Sequence, residues 1–354
     1  MSGYPKFDES ELKKLGMKSP EYGFNCEAEK INTIITPKEN LLKALRREPI
    51  AYIPSMSDRQ SFAPRCIEDF VICACVTDGE EPLTLDRYGG KGWSGTEWIY
   101  VPMVGGATTL PGHPQLEDTS QLKDLEFPDL DAIDWAASFE KNKHWIDRDR
   151  ALLMHFICGY WERLMAFLET TEAAIALLDD DCKADINEFF IKLTDFYIAL
   201  VDKCIEYYKP DIILMHDDWG HQRGYFFSTE VLDEVFVPHF KRLSDHIHSK
   251  GMFFELHSCG LNEKNVPSMI KAGIDLWIPQ PMNDQKKLVK MYGDRIMIGV
   301  DWPVYSKDDP DEKVRKIAEE FFEEMKDYRF YYNDRRQPDM RFAKYLYESG
   351  RNYY

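Results

Sequence analysis

The sequence lacks any excess of positive charge. Its 44 lysines and arginines face 62 aspartates and glutamates over 354 residues, a formal net charge of -18. So acidic a chain repels phosphates, which argues against nucleic acid as a partner. No apolar run approaches the roughly 18 residues of a membrane span. The opening stretch MSGYPKFDESELKKLG is polar and mixed in charge, without the apolar core of a signal peptide, so a cytoplasmic protein is expected. The cysteines, Cys26, Cys66, Cys73, Cys75, Cys158, Cys182, Cys204 and Cys259, have no disulfide-framework spacing and are expected to be free thiols or ligands. There is no low-complexity tract. Aromatic side chains are plentiful, 14% of the chain. Most of them belong in a core, and the remainder would suit an apolar, ring-shaped ligand.

Organisation follows from punctuation and periodicity. In TPKENLLKALRREP, Thr36 can cap a helix, Pro37 suits its first position and Glu39 completes a capping box. IAYIPSM (50–56) reads as a strand, and 66–77 as a buried helix. The Gly-, Pro- and Asp-rich stretch 78–135 reads as an excursion with short strands such as EWIYVPMV, a cover or interface rather than a separate domain. From about residue 150, short apolar strands alternate with amphipathic helices: ALLMHFIC, DIILMHDD, MFFELHSC, IDLWIPQ, RIMIGVD and YRFYY mark the strands. That rhythm calls for a parallel sheet with right-handed crossovers. Strands apolar through their length imply that both faces are covered. Seven or eight such units fit one α/β domain over 1–354, a (β/α)8 TIM-like barrel with an N-terminal extension and a long early insertion.

Barrel enzymes carry their chemistry at the C-terminal ends of strands. Those ends here hold Cys158 and Tyr160, Asp217 and Asp218, His257 and Cys259, Gln280, Asp301, and Asn333 with Asp334. Period two places Glu255, His257 and Cys259 on one face, the last two nearest the mouth. A thiolate beside an imidazole prefers zinc. The alternative is a buried thiol beside a hydrogen-bonded imidazole. Asp217 and Asp218 could instead cap the following loop, and Trp219 could be a packing residue. Cys73 and Cys75, in IEDFVICACV, read as core.

TPKENLLKALRREPIAYIP, DRYGGKGWSGTEWIYVP, HDDWGHQRGYFFSTEVLDEVFVPHFKRL, LHSCGLNEKNVPSMIKAGIDLWIPQP and MYGDRIMIGVD together resemble the uroporphyrinogen decarboxylase superfamily, from about Thr36 to Tyr354. HSCG matches the His-x-Cys zinc motif of its corrinoid-dependent methyltransferase branch. The decarboxylase branch uses an Arg-Gln-Ala-Gly-Arg run to hold carboxylates. Here Arg59-Gln60 is followed by no Ala-Gly-Arg, and Arg65 lies six residues on. The third zinc ligand of coenzyme M methylating members, a later cysteine, has no counterpart, since Cys259 is the last. Asn333, Asp334, Glu255, Asp217 and Asp218 are the oxygen donors that could stand in. DWGHQRG (218–224) is one residue too long for the cobalt-ligating Asp-x-His-x-x-Gly motif, so the corrinoid would arrive on a separate protein.

The resemblance implies methyl transfer from a small methylated substrate, an aryl methyl ether by preference, to that corrinoid. His257 and Cys259 would hold zinc, with His257, Asp217 and Asp218 catalytic. Tyr160, Trp219, Gln222, Gln280 and Asn333 would bind substrate. Expected partners are the corrinoid protein, the aromatic substrate and a second copy in a homodimer, with no membrane. A decarboxylase for a smaller substrate and a non-catalytic corrinoid- or tetrapyrrole-binding barrel are the alternatives.

Overall fold

Eight parallel strands form one sheet: β1 (Arg59–Pro64), β2 (Val76–Thr77), β3 (Ala151–Phe156), β4 (Ile212–His216), β5 (Phe253–His257), β6 (Leu276–Trp277), β7 (Met297–Asp301) and β8 (Phe330–Asn333). Their spatial order is β8-β7-β6-β5-β4-β3-β1-β2. The computed structural model describes residues 4–18, 29–64, 76–77, 89–101, 106–156, 158–334 and 337–354. The helix expected over 66–77 lies outside them at 66–75, and 76–77 form β2. Arg65, Cys66, Cys73 and Cys75 also lie outside.

The sheet curls. Arg59 of β1 reaches across to the Glu255 carboxylate of β5, three strands away in the sheet, and lies 5.9 Å from the ring centroid of Tyr331 on β8. Only an inward-curved surface brings those three side chains together. Ser55 bridges Tyr332 in parallel, and the Tyr332 amide donates to the Pro54 carbonyl (3.0 Å), so the last strand meets the segment leading into β1. The architecture is the expected TIM-like barrel.

Alternation sorts its residues. Ala151, Leu153, Ile212, Leu214, Leu276, Met297 and Tyr331 form an inner cluster, plugged from below by Leu41, Ala44 and Leu45 of helix α1 (Pro37–Leu45). Phe62, Leu152, Met154, Ile213, Met215, Phe254, Leu256, Trp277 and Ile298 point outward into the larger cluster with the helices. Those helices include α2 (Tyr160–Leu168), α3 (Lys183–Tyr207), α4 (Val237–Ser249), α5 (Val266–Lys271), α6 (Gln285–Tyr292), α7 (Asp311–Met325) and α8 (Arg341–Tyr353). Among the described residues, no helix is long and apolar enough to cross a membrane. Within the excursion, Gly89–Lys91, Glu97–Val101 and Gly106–Thr109 make a small antiparallel sheet.

Thr36 caps α1 as expected, accepting from the Glu39 amide (3.1 Å). The stretch 50–56 differs from its expected strand. Its backbone is satisfied by a side chain: Asn40 donates to the Tyr52 carbonyl and accepts from the Ala51 amide, both at 2.9 Å. Pro54, with no N–H, cannot donate to a ladder.

Asp58 follows, buried, accepting from the Ser55 amide (3.0 Å). Burial, reinforced by the Asp334 carboxylate, pushes its pKa up to about 8. The folded value lies above the unfolded one, so the native state holds the extra proton. Stability is full below the ordinary aspartate range and is lost as pH rises through 8. Asp58→Asn, which keeps an acceptor for Ser55, should therefore melt higher than the parent at pH 8, by at least about 2 °C. The gap should narrow toward pH 5. Thermal melts across that range check it, and a gap that does not change with pH defeats the assignment.

Candidate metal centre

The mouth is built from the ends of β4 and β5. Their register pairs His216 with His257 side by side. Inward alternation carries Ile212 and Leu214 to His216, and Glu255 to His257. The two imidazoles stack, with centroids 4.2 Å apart and planes at 18°. Two residues beyond each strand end stand Asp218 and Cys259. His257 Nε2 lies 3.2 Å from Cys259 Sγ, and the Cys259 amide donates to Asp218 Oδ1 (2.6 Å). One ligand atom from each of His216, Asp218, His257 and Cys259 falls within 4.8 Å of all the others. Donors at about 2.0–2.3 Å around a single tetrahedral ion are spaced within that limit.

The turn after Cys259 depends on Gly260, whose φ is +80°. A Cβ there would lie 2.4 Å from the His221 amide nitrogen. The Gly260 amide donates to Gln280 Oε1 (2.8 Å), which ties the β6 end to the cluster.

Behind it stands Glu162 of α2, accepting from or donating to His216 Nδ1 at 2.6 Å. A carboxylate on one imidazole nitrogen orients the ring and leaves Nε2 as the ligating atom, the usual outer-shell arrangement of metal-bound histidine. Burial raises the Glu162 pKa, with Asp218 adding to the rise and His216 opposing it. Burial also pushes the Cys259 thiol up, and the Asp218 and Glu162 carboxylates push it further. A bound cation would offset both the burial and the crowding of these acidic groups.

Sequence reasoning expected Asp217 at this site, and the structure places it elsewhere. Residues 213, 215 and 217 share the outward parity, so Asp217 faces the helices and is fully buried. It accepts from the Trp161 amide (3.3 Å), the Glu162 amide (3.0 Å) and the Trp219 indole (3.1 Å), capping α2 from outside the helix. Gly159 is required beside it, because a Cβ there would lie 2.4 Å from that of Asp217. Burial, with Glu162 adding to it, pushes the Asp217 pKa up to about 7. Tyr160 is likewise in the helical layer, its hydroxyl near Thr194 Oγ1 (2.9 Å) and the His239 carbonyl (3.2 Å). Trp219 is buried against Phe240. Gln222 is exposed in the loop between Gly220–His221 and Gly224–Tyr225.

Gln280 and Asn333 do face the mouth. Asn333 donates to Asp301 Oδ1 (2.9 Å), and Gln285 donates to Asp301 Oδ2 (2.8 Å), so a fixed carboxylate stands on the β7 side. His216 and Glu162 escaped the sequence reading. The signal for His216 was present in IILMHDD, where period two puts the histidine, not the first aspartate, on the inner face. For Glu162 there was none, since its contact is made between a helix and a strand 54 residues apart.

The two neighbouring aspartates should therefore separate on mutation. With zinc expected at this cluster, Asp218→Asn should lower affinity for added zinc at least ~10-fold, the range for disturbed metal-site residues, and leave stability nearly unchanged. Asp217→Asn should cost roughly 1–3 kcal/mol of stability by mispairing buried N–H groups, with zinc content kept. Metal analysis beside urea unfolding checks both, and the reverse pattern would exchange their roles.

Fold and side chains together define a parallel barrel with a mixed nitrogen, sulfur and oxygen donor cluster at its mouth. Among solved structures, the chain is similar to a methyltransferase from Methanosarcina mazei, at 15% identity over 89% of this chain and 98% of that one, with a TM-score of 0.58. Looser likenesses are a sugar phosphate isomerase/epimerase from Parabacteroides distasonis (11% identity, 67% of this chain and 82% of that one, TM-score 0.30) and a D-allulose 3-epimerase from Methylomonas sp. (12%, 62% and 80%, 0.31). At these identities the likeness to the first establishes the barrel fold. No family model matches the chain, and no curated protein does.

Proposed function

We propose that the chain is the methyltransferase component of a corrinoid-dependent O-demethylating system. It takes the methyl group of a small methylated substrate, an aryl methyl ether by preference, and passes it to the cobalt of a corrinoid carried by a separate protein. The observation that carries this reading is the convergence of His216, Asp218, His257 and Cys259 within 4.8 Å at the barrel mouth. Two imidazoles, one thiol and one carboxylate are a donor set that zinc accepts. Bound there, zinc would supply Lewis acidity to the oxygen that loses its methyl group.

The chain's own residues do the remaining work. Glu162 fixes the His216 ring through Nδ1, and the Cys259 amide fixes Asp218 through Oδ1. Gln280 holds the turn that carries Cys259. Asp301, locked by Gln285 and Asn333, offers an acceptor across the mouth for a substrate hydroxyl. A single sulfur donor among nitrogen and oxygen makes a harder site than a sulfur-rich one. That favours an oxygen leaving group over activation of a thiol substrate. The corrinoid is a substrate here, presented by its own protein.

The decarboxylase alternative needs free arginines for carboxylates. Arg59, in the Arg-Gln pair that begins the decarboxylase signature, is paired instead with Glu255 inside the barrel. That pairing supports the methyl-transfer reading. The test is incubation with a reduced corrinoid protein and a panel of aryl methyl ethers, following conversion of the cob(I) absorbance to that of methyl-cob(III). A panel that produces no conversion with zinc-loaded protein overturns the reading.

A further inference from the structure

We propose a second small-molecule site, in the helical layer outside the barrel, that takes a single ring bearing one hydroxyl, a monocyclic phenol. A cavity of about 180 Å³ lies between α3 and the turn that precedes α4. Its origin is local. Pro238 has no N–H, and its ring crowds the carbonyl four residues back. Over Leu232–Phe236 the chain takes a π turn, in which the Val237 amide donates to the Leu232 carbonyl five residues earlier. Such widened turns recur at functional sites. Val235 of this turn forms one wall of the cavity, and Ile186 and Phe190 of α3 form the other.

The base is His239. It is 6% exposed, and its ring packs against Tyr160 and Phe190, with centroids 5.7 and 5.4 Å apart. Among the described residues, its ring nitrogens have no hydrogen-bond partner. The residue is buried as a whole, but His239 lines the cavity and its nitrogens are not among the sealed, unpaired atoms of the core, so they open onto the cavity, where a ligand can meet them. Burial, with Arg242 nearby, pushes its pKa down to about 4, so the ring is neutral and offers one donor and one acceptor. Lys183 and Glu234, an exposed ion pair at 3.4 Å, stand at the entrance.

Size and chemistry then select the ligand. A cavity of about 150 Å³ has room for benzene, so this pocket of about 180 Å³, open beside Lys183 and Glu234 and lined by Asn187 and His239 as well as by apolar side chains, has room for a single ring with one polar substituent. The ring would lie against Phe190 and Val235, with its hydroxyl on His239. The cavity shares no residue with the donor cluster at the barrel mouth, so binding here is independent of methyl transfer there.

The probe is 4-bromophenol, added to the full zinc-loaded chain. A soaked crystal should show the bromine anomalous signal in this cavity, with the phenol oxygen within hydrogen-bond distance of His239. Titration calorimetry should find affinity weakened at least ~10-fold by Val235→Trp, which fills the cavity, and equally by Ile186→Phe. The second variant guards against misfolding of the first. His257→Ala, at the barrel mouth, should leave this affinity unchanged. No bromine in the cavity, or an affinity unmoved by both filling variants while they melt cooperatively, overturns the proposal. Loss of binding in His257→Ala does so too, because it would put the phenol in the barrel.

Discussion

Replacing His257 with alanine should slow methyl transfer to a reduced corrinoid protein by at least ~10²-fold, the lower end of what a positioned catalytic group contributes. Bound zinc should fall well below one per chain. The position explains the size of the effect. His257 ends an inner-facing row of β5, stacks on His216 and lies 3.2 Å from Cys259 Sγ. Its removal takes a donor away and also frees the ring it holds in place. It is half-buried at the mouth rather than in the core, so the variant should melt cooperatively near the parent temperature. Transfer and metal content measured on the same preparation are the check. A variant that kept both would move the site elsewhere on the barrel. A variant that kept zinc and lost transfer would assign His257 to proton handling and leave the other three donors to the ion.

The barrel was legible because its signals are local and repeated. Each strand is a short apolar run, each helix an amphipathic one, and their alternation from residue 151 to residue 333 leaves a parallel sheet as the solution. His257 and Cys259 were legible for the same reason, since a period of two fixes their common face. The same period would have given His216, but the adjacent pair Asp217-Asp218 drew the reading one residue too far, to a side chain that faces the helices. Tyr160 was misplaced by a related step, because position at a strand end does not by itself say which way a side chain turns once the strand has stopped, whereas Trp219 takes the packing role that the sequence also offered. Glu162 and the contact of Arg59 with Glu255 depend on the curl of the sheet and the seating of α2. Those are tertiary facts with no short-range trace.

The second large effect expected is on stability, at Glu255→Ala. Glu255 lies one inner-facing position below His257, and it and Arg59 are almost completely buried, with side-chain exposures of 2% and 3%. Removing one member of a buried pair takes the close counter-charge from the other, which costs about 3–5 kcal/mol. Urea unfolding should show that loss as a lower midpoint at unchanged slope, the signature of altered stability in an unaltered unfolding reaction. The double variant Arg59→Met, Glu255→Leu should recover most of it, because apolar side chains of similar volume often replace a buried pair without loss. A neutral Glu255→Ala would mean that other groups carry the guanidinium, and would sink the account of a neutralised arginine on which the case against decarboxylation rests. Recovery in the double variant carries a further consequence. If burial of apolar side chains serves the fold as well as the ion pair does, stability alone does not explain why two charges stand directly beneath the donor cluster. The double variant should then be as stable as the parent and slower in methyl transfer, which assigns the pair to the floor of the reaction chamber.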